Sequence, residues 1–234
     1  LTRLFHWLFA GIFIATYFIA KTFDDDSATY SYHMILGLIL SFTVILRIIW
    51  GFIGSRYARF SSYSLRPIDL LKYFKDLLTA KTQRHLGHNP ASSWAALTMM
   101  GLAIGLGITG FLMAQGTSKE IAEELHELFS DAFLIVAIAH VAGIAFHTFK
   151  HRDKIGLSMI SGKKETIAGR VGIEKSHAAA GLIFLILTGT FVFHLNKNYD
   201  STTRTLNFFG TSLQFGELES EGVDDDDDDD DDDD

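Results

Sequence analysis

Cysteine is absent from this sequence of 234 residues, which excludes disulfide bonds, thiolate metal sites and the C-x-x-C-H attachment of a c-type haem. Proline is scarce, with 2 residues against 20 glycines and 20 phenylalanines. Few prolines favour uninterrupted helices, and abundant glycine is typical of helices that pack closely inside a membrane. The mean hydropathy of +0.20 agrees with that interpretation.

The negative net charge comes from a single segment. Residues 224–234 are eleven consecutive aspartates, and without them the net charge of −8 becomes +3. The body of the chain is therefore mildly basic and its tail strongly acidic. Three interpretations of the tail stay open: a solvated disordered run, a surface that steers a basic partner, and a divalent cation site.

Five apolar stretches are long enough to cross about 30 Å of hydrocarbon as helices. They are residues 4–20, 32–53, 91–113, 128–149 and 177–195. Helices satisfy their own backbone hydrogen bonds, as the bilayer interior requires. We therefore predict an all-α membrane protein: a four-helix transmembrane bundle in residues 1–164, a fifth transmembrane helix in residues 165–199 and an acidic C-terminal tail in residues 200–234.

Charged residues between the spans predict the orientation in a bacterial inner membrane. Loops 54–90 and 150–176 are basic, whereas segments 24–26 and 120–127 are acidic. Cytoplasmic loops carry an excess of lysine and arginine, so we expect the two basic loops in the cytoplasm. The N-terminus is then cytoplasmic, and five spans place the acidic tail in the periplasm. Because the sequence begins with Leu1 rather than methionine, we also expect a short preceding cytoplasmic segment.

Two local patterns belong to the first basic loop. Residues 67–79 carry apolar side chains at helical spacing. They predict an amphipathic helix that either lies on the cytoplasmic membrane surface or packs on the loop. Asn89 and Pro90 predict the start of the third span, with asparagine as the N-cap and proline at the first helical position.

Four of the ten histidines are spaced to form two pairs at two membrane depths. His126 and His140 are 14 residues apart, which returns to nearly the same helix face about 21 Å deeper. His6 lies near the cytoplasmic start of the first span, and His33 lies at the periplasmic start of the second. We therefore predict that His33 pairs with His126 near the outer surface and that His6 pairs with His140 nearer the cytoplasm.

Histidines that come in twos, with few acids nearby, indicate haem rather than another metal. Zinc or non-haem iron would need three or more converging ligands, often with carboxylates. Two axial imidazoles complete a six-coordinate haem iron and favour electron transfer, because no iron position stays open. We predict two non-covalent haem b groups. Gly11, Gly37 and Gly143, each within five residues of a predicted ligand, either leave room for the macrocycle or serve helix packing.

His147 is an alternative ligand for the inner site. It lies seven residues beyond His140 on nearly the same face of the helix. Its use would separate the two sites by about 31 Å, the whole thickness of the hydrocarbon core. We therefore prefer His140 and assign His147 as a neighbour of the ligand or of a haem propionate.

Three arginines are candidates for binding the propionates. Arg47 lies inside the second span at the level of the inner site, and a buried arginine needs a counter-charge, which a propionate would supply. Arg56 and Arg59 follow this span. They either serve the same purpose or anchor the loop in the cytoplasm.

The same residues carry a resemblance to a known family. The runs TRLFHWLFAG, YHMILGLILSFTVILRIIWGFIGSRYARF, GHNPASSW and LHELFSDAFLIVAIAHVAGIAFHTFKHRDKIGLSMISGKK resemble the bacterial cytochrome b561 family and the related b-type cytochrome subunit of nickel-iron hydrogenases. The resemblance covers roughly residues 1–164. It implies a four-helix bundle with two haems that exchanges electrons with membrane quinone. Its haem iron ligands would be His6, His33, His126 and His140.

The resemblance and the charge pattern together predict electron transfer in a respiratory chain. We expect exchange between membrane quinone and a periplasmic partner, such as a basic c-type cytochrome, and no nucleic acid partner. A superoxide oxidase that passes electrons to quinone is one alternative, although it would need a positive funnel where this sequence is acidic. The membrane anchor subunit of a hydrogenase or dehydrogenase complex is another. A non-redox transporter is disfavoured by the scarcity of acids within the spans.

Overall fold

The described part of the chain forms six α-helices followed by three short strands. The structure is a computed structural model that describes residues 1–79, 89–151, 159 and 177–216. The helices are α1 (Thr2–Thr22), α2 (Tyr30–Ile53), α3 (Pro67–Leu78), α4 (Pro90–Ala114), α5 (Lys119–His151) and α6 (Ala178–Asn198). Most of the basic loop 150–176 and the tail beyond residue 216, with its aspartates, lie outside the described residues.

Five helices of the described chain are long and apolar enough to cross a membrane. They are α1, α2, α4, α5 and α6, so the five predicted spans are confirmed. Large apolar side chains on these helices point away from the bundle: Ile14, Ile135 and Phe149 are 66%, 67% and 88% exposed. Water-soluble monomers rarely expose such extensive apolar surface. These outward faces are suited to contact with lipid.

Four of the membrane helices pack in sequence, α1 on α2, α2 on α4 and α4 on α5. The fifth, α6, packs against α2, where Phe191 stacks on Phe42 with ring centroids 4.2 Å apart. Helices α1 and α5 meet through aromatic side chains, because Phe133 of α5 lies 4.2 Å from Phe13 of α1 between ring centroids. The predicted four-helix bundle with an additional membrane helix is confirmed.

Helix α5 is longer than the predicted span 128–149. It begins at Lys119, and its first turns carry Glu120, Glu123 and Glu124. Hydropathy excludes these charged residues from a membrane span. Acidic side chains near a helix N-terminus nevertheless interact favourably with the helix dipole, so the helix continues through them. This extension places His126 on regular helix two turns after the start of α5.

The amphipathic helix predicted in residues 67–79 is present as α3. Its Tyr73 is buried and its hydroxyl accepts a hydrogen bond from Asn89 Nδ2 at 3.1 Å, which holds α3 against the start of α4. Ile68 and Leu71 remain 60% and 65% exposed. Helix α3 therefore both packs on α4 and presents apolar side chains outward.

Asn89 also caps α4 as predicted, because its Oδ1 accepts from the backbone N–H of Ser92 at 2.7 Å.

Three strands occupy the start of the segment assigned to the acidic tail, where no strand was predicted. They are β1 (Tyr199–Asp200), β2 (Thr205–Phe208) and β3 (Thr211–Gln214), and they pair antiparallel in that order. Leu206 and Leu213 stand opposite each other in the register and are both fully buried. The β2–β3 turn contains Gly210 at a φ of +90°, a left-handed conformation that favours glycine.

The sheet packs on one end of the helical bundle, which we call the sheet end. The hydroxyl of Ser31, at the start of α2, donates to the carbonyl oxygen of Phe215 at 3.3 Å. Arg204 donates to the backbone carbonyl of Asp26 in the α1–α2 loop. Leu206, Leu213 and Phe215 join one apolar cluster with residues of α1, α2, α4 and α6. The sheet is therefore continuous with the core and joins the ends of four helices.

We expect Leu213→Ala to lower the free energy of unfolding by about 2–5 kcal/mol, because it removes buried methyl groups and leaves a cavity. The matched control is Ser212→Ala, the exposed neighbour in β3, which should change stability by less than about 0.5 kcal/mol. Thermal unfolding of the protein in detergent micelles, followed by circular dichroism, measures both. Equal small effects would contradict the assignment of the sheet to the folded core.

Candidate functional site

His33 and His126 come together near the sheet end, although they lie on different helices. His33 is in the first turn of α2, and His126 lies two turns into α5. Their ring centroids are 6.2 Å apart and the ring planes cross at 66°. An imidazole nitrogen binds a transition metal at about 2 Å, so two such bonds plus the two ring radii span about 6 Å. The separation therefore fits one metal atom held between the two rings.

The hydrogen bond made by His33 determines which ring nitrogen can bind a metal. His33 Nδ1 lies 3.0 Å from the backbone carbonyl oxygen of Thr16 in α1. A carbonyl oxygen only accepts, so Nδ1 carries the proton and Nε2 presents its lone pair. A metal-binding histidine ordinarily binds the metal through one ring nitrogen and donates a hydrogen bond from the other, as His33 Nδ1 does to the Thr16 carbonyl. The contact also ties α2 to α1 at the site.

Thr109 of α4 acts on His126 in the same way. Its hydroxyl proton points to the carbonyl oxygens of Gly105 and Leu106, at 3.0 and 3.2 Å. The hydroxyl oxygen therefore accepts from His126 Nδ1, 2.8 Å away. His126 is left with its Nε2 lone pair for a ligand, like His33. Each candidate ligand thus has its ring orientation set by a neighbouring helix.

Two glycines make room around this pair. Gly110 lies beside His126, where an added Cβ would stand 3.4 Å from the ring carbon Cε1. Gly37 is one turn after His33, and a Cβ there would have no neighbour within 4 Å. A flat macrocycle beside the rings needs such space. The donor set, the ring separation and the room therefore fit a haem with two axial imidazoles.

The other glycines differ in how much space an added Cβ would have. An added Cβ at Gly11 or Gly143 meets nothing within 4 Å, which is compatible with both interpretations of these residues. At Gly105 it would lie 2.8 Å from the Phe129 ring, so this glycine serves the packing of α4 on α5. Gly101, which forms a G-x-x-x-G pattern with Gly105 in α4, has no such neighbour. Of these two glycines, only Gly105 lies in a close helix contact.

His6 and His140 form the second group, towards the opposite end of the bundle. His6 lies in the second turn of α1, and His140 lies 14 residues after His126 in α5. The two side chains are close enough to interact electrostatically. The ring of Trp7 stands edge-on to His6, with centroids 5.3 Å apart. The structure therefore contains the two histidine pairs predicted from helical rise, His33 with His126 and His6 with His140. Their role as metal ligands stays a prediction.

His147 lies two turns beyond His140 and is buried, with 6% of its surface exposed. A histidine at this depth is on the same face as His126 and His140, because seven residues complete nearly two helical turns. Its position keeps it as the alternative ligand for the inner group.

Arg47 is held by the loop that follows its own helix. Its Nη2 donates to the carbonyl oxygen of Ala58 at 3.1 Å and to the hydroxyl of Tyr63 at 2.8 Å. Burial raises the pKa of Tyr63, while the guanidinium acts in the opposite direction, so the hydroxyl stays protonated at neutral pH and accepts as a neutral group. Arg47 Nη1 is buried without a hydrogen-bond partner among the described residues. That donor is available to an anion.

Arg56 and Arg59 lie on the same loop and are exposed. The guanidinium of Arg56 stands 5.9 Å from the centre of the Tyr57 ring. Both positions suit anchoring at the membrane surface as well as contact with a propionate, so the two interpretations stay open.

Sequence reasoning missed several residues that shape the site. Thr16 and Thr109 orient the rings, and Tyr30 stacks on His33 with centroids 5.2 Å apart at 26°. Thr16 acts through its backbone carbonyl, which every residue type has, and a helical threonine such as Thr109 commonly bonds to its own backbone. No local pattern therefore distinguishes either residue. Tyr30 lies within electrostatic range of Asp25 and Glu123. It therefore connects the acidic loops to the histidine pair.

Two histidines alone suit a metal within a macrocycle better than a bare ion. No group of three or more His, Cys, Asp or Glu side chains that could hold a metal ion occurs among the residues described here. Zinc and non-haem iron sites need such a group. A haem iron bound by two imidazoles in addition to its macrocycle would have no coordination position left for a substrate. The chemistry suited to this site is therefore electron transfer.

Comparison with known proteins agrees with this chemistry. The family model for prokaryotic cytochrome b561 matches residues 1–162. A probable Ni/Fe-hydrogenase B-type cytochrome subunit of Rhodobacter capsulatus is 27% identical, over 69% of this chain and 78% of that protein. A probable Ni/Fe-hydrogenase 1 B-type cytochrome subunit of Escherichia coli (strain K12) is 25% identical, over 47% of this chain and 56% of that protein. No solved structure matches the chain.

We expect Thr109→Val to weaken binding at the His33–His126 site by about 10–100-fold, because it removes the acceptor that orients His126. The matched control is Thr43→Val: Thr43 is fully buried, and its hydroxyl donates only to the Leu40 carbonyl of its own helix. Transfer of haem from the purified protein to apomyoglobin measures the loss. Equal loss rates in the two variants would contradict the role assigned to Thr109.

Proposed function

The chain belongs to the prokaryotic cytochrome b561 family, and we propose that it is a diheme b-type cytochrome. In this proposal it transfers electrons between membrane quinone and a redox partner at the periplasmic face of the inner membrane. Membership makes it a haem b-binding membrane protein. The number of haems, the quinone, the partner and the orientation are the proposed parts. The observation that carries the proposal is the facing pair of His33 and His126, each with Nδ1 already bonded.

Two sites follow from the two histidine groups. His33 and His126 would hold the outer haem, and His6 and His140 the inner one, about 21 Å deeper along α5. Haem b with two axial imidazoles supplies one-electron chemistry with no open iron position. Arg47, whose buried Nη1 has no hydrogen-bond partner in the described chain, would bind an inner propionate. His147 is the alternative to His140.

The charge of the two bundle ends supports the proposed orientation. The sheet end carries seven exposed acids between the spans: Asp24, Asp25, Asp26, Glu120, Glu123, Glu124 and Glu127. The opposite end carries exposed Arg56, Arg59, Arg66, Lys72 and Lys75. By the positive-inside rule the opposite end is cytoplasmic and the sheet end periplasmic. Quinone would exchange electrons with the inner haem from within the membrane.

The seven acids form what we call the acidic surface, and they support the choice of partner. Asp25 and Glu123 act electrostatically on Tyr30, which stacks on His33, so the acidic surface borders the outer site. A surface of one charge sign attracts a partner of the opposite sign and accelerates its encounter. The partner we propose is a periplasmic redox protein with a basic face, such as a c-type cytochrome.

A second candidate function comes from the names of the relatives. Both relatives described above are probable B-type cytochrome subunits of Ni/Fe-hydrogenases. By analogy, the chain would be the membrane subunit that receives electrons from a hydrogenase. The E. coli protein is matched over little more than half of its length, so this assembly is carried by analogy.

The redox spectrum tests the central proposal. We expect the purified protein to show Soret and α bands on reduction, with two haem b per chain by pyridine haemochrome assay. Because each outer ligand serves one iron, His33→Leu and His126→Leu should each lower the content to one haem. The inner ligand is identified by comparing His140→Leu with His147→Leu, of which only the first should lose the inner haem. A protein that lacks reducible haem bands would contradict every redox proposal made here.

The acidic surface gives a separate prediction. Replacing Asp25 by Asn and Glu123 by Gln together should slow electron exchange with a small basic c-type cytochrome by roughly tenfold at low salt, because attraction of the partner weakens. The difference should vanish at high salt, where charges are screened. Stopped-flow reduction kinetics measure both conditions.

The control for this experiment neutralises two carboxylates at the other end of the bundle, the same change in net charge. Asp69→Asn and Asp76→Asn are on α3, remote from the acidic surface, and should leave the rate unchanged. Removal of residues 224–234 in the same assay tests whether the aspartate run adds to the attraction. Salt-independent exchange that is indifferent to Asp25 and Glu123 would exclude a basic partner at this surface. Copurification with a hydrogenase would then favour the second candidate.

A further inference from the structure

Three phenylalanines fill the space where α1 faces α5. Phe133 of α5 is 1% exposed, and its ring centroid lies 4.2 Å from that of Phe13 and 5.7 Å from that of Phe9, both on α1. The Phe13 and Phe133 rings are inclined by 30°. Aromatic rings at such distances attract each other beyond the gain from burial alone. We call this cluster the aromatic wedge.

The aromatic wedge lies midway between the two histidine groups. Phe133 is seven residues from His126 and seven from His140, so it shares their helix face at about 10 Å from each. On the facing helix, Phe13 is seven residues beyond His6. Both rings therefore stand at half depth, on the side of their helices that carries the histidines.

Helices α1 and α5 are adjacent in the bundle but are not in close backbone contact. The backbones of α4 and α5, and those of α1 and α2, approach each other closely at many positions. Between α1 and α5 the aromatic wedge supplies the contact. Close-packed interiors resist compression, so buried rings of this size hold the two helices at a set distance.

We propose that Phe133 is a positioning residue that holds α1 and α5 apart and fills the region between the two haem sites, so that it determines the environment of both haems at once. The proposal rests on the two-haem function proposed above. Apolar rings in this region screen charges at the two sites less than water or polar side chains would. The potential of each haem depends on such burial and polarity.

Two substitutions of Phe133 test the proposal in the full-length protein. Phe133→Ala removes the ring, and Phe133→Leu keeps much of its volume. The matched control is Phe191→Ala, because Phe191 stacks on Phe42 at the same 4.2 Å centroid distance but joins α6 to α2. Losses of stability common to any aromatic residue packed between two helices then appear in the control as well, although Phe191 is only partly buried.

The first readout is redox titration with electron paramagnetic resonance of the oxidised haems. Phe133→Ala should shift the midpoint potentials and the g values of both haems, and Phe133→Leu should shift both by less. Phe191→Ala should leave all of them at the wild-type values. A shift confined to one haem, or none in either Phe133 variant, would overturn the proposal.

The second readout needs no haem. The chain has no cysteine, so spin labels attach only to cysteines introduced at Ile14 of α1 and Ile135 of α5, which are 66% and 67% exposed. Pulsed electron resonance should show a shorter distance between these labels in Phe133→Ala than in the protein with Phe133 intact. An unchanged distance would contradict the spacing role.

The two proposals fail in distinguishable ways. Wild-type protein without two haems would refute the diheme function, whatever the label distances show. Wild-type protein with two haems, combined with Phe133 variants that match it in potentials and g values, would refute only the role of Phe133. If Phe133→Ala does not fold, the same readouts on Phe133→Leu decide, since leucine leaves a smaller cavity than alanine and therefore costs less stability.

Discussion

Hydrogen bonds to histidine Nδ1 are the interactions on which the candidate site depends. A ring inside an apolar bundle can rotate about two side-chain bonds, and only a fixed partner holds its Nε2 in one direction. Thr16 on α1 holds His33 of α2, and Thr109 on α4 holds His126 of α5. Each candidate ligand is thus oriented by a helix other than its own. The ring arrangement forms only when four helices have packed in the right register, so binding at this site would be coupled to folding of the bundle.

At the opposite end of the bundle, the buried charge of Arg47 is stabilised by hydrogen bonds to uncharged groups. Arg47 is satisfied in part by neutral oxygens, the Ala58 carbonyl and the Tyr63 hydroxyl. Neutral acceptors stabilise a guanidinium without cancelling its charge, so the arginine keeps its attraction for an anion. The Tyr63 pKa is raised by burial, which keeps that acceptor neutral. The loop after α2 thereby holds Arg47 of α2 in place and leaves its positive charge uncancelled.

The sheet end combines rigid structure with negative charge. Strands β2 and β3 are too short to give a recognisable periodic pattern. The sequence therefore predicts one acidic tail that includes them together with the aspartates that follow. Burial of Leu206 and Leu213 depends on helices far away in the sequence, so no local signal could have predicted it. The same limit applies to the start of α5, where Glu120 to Glu124 reduce the hydropathy although the helix continues. Hydropathy predicts the membrane-buried part of a helix, and capping or tertiary contacts decide where it ends.

The sequence by itself determined the five spans, the absence of covalent haem attachment and the two depths of histidine, because hydropathy and helical rise are local properties of the chain. It also determined the contrast in charge between the two ends. The tertiary structure decided the tautomers of His33 and His126, the partners of Arg47 and the position of Phe133 between α1 and α5. These depend on side chains and backbone carbonyls from other helices and from the loop after α2, and such distances are set by packing. The paired histidines read from spacing are therefore a shared property of sequence and fold: the spacing supplies the depths, and Thr16 and Thr109 supply the orientation.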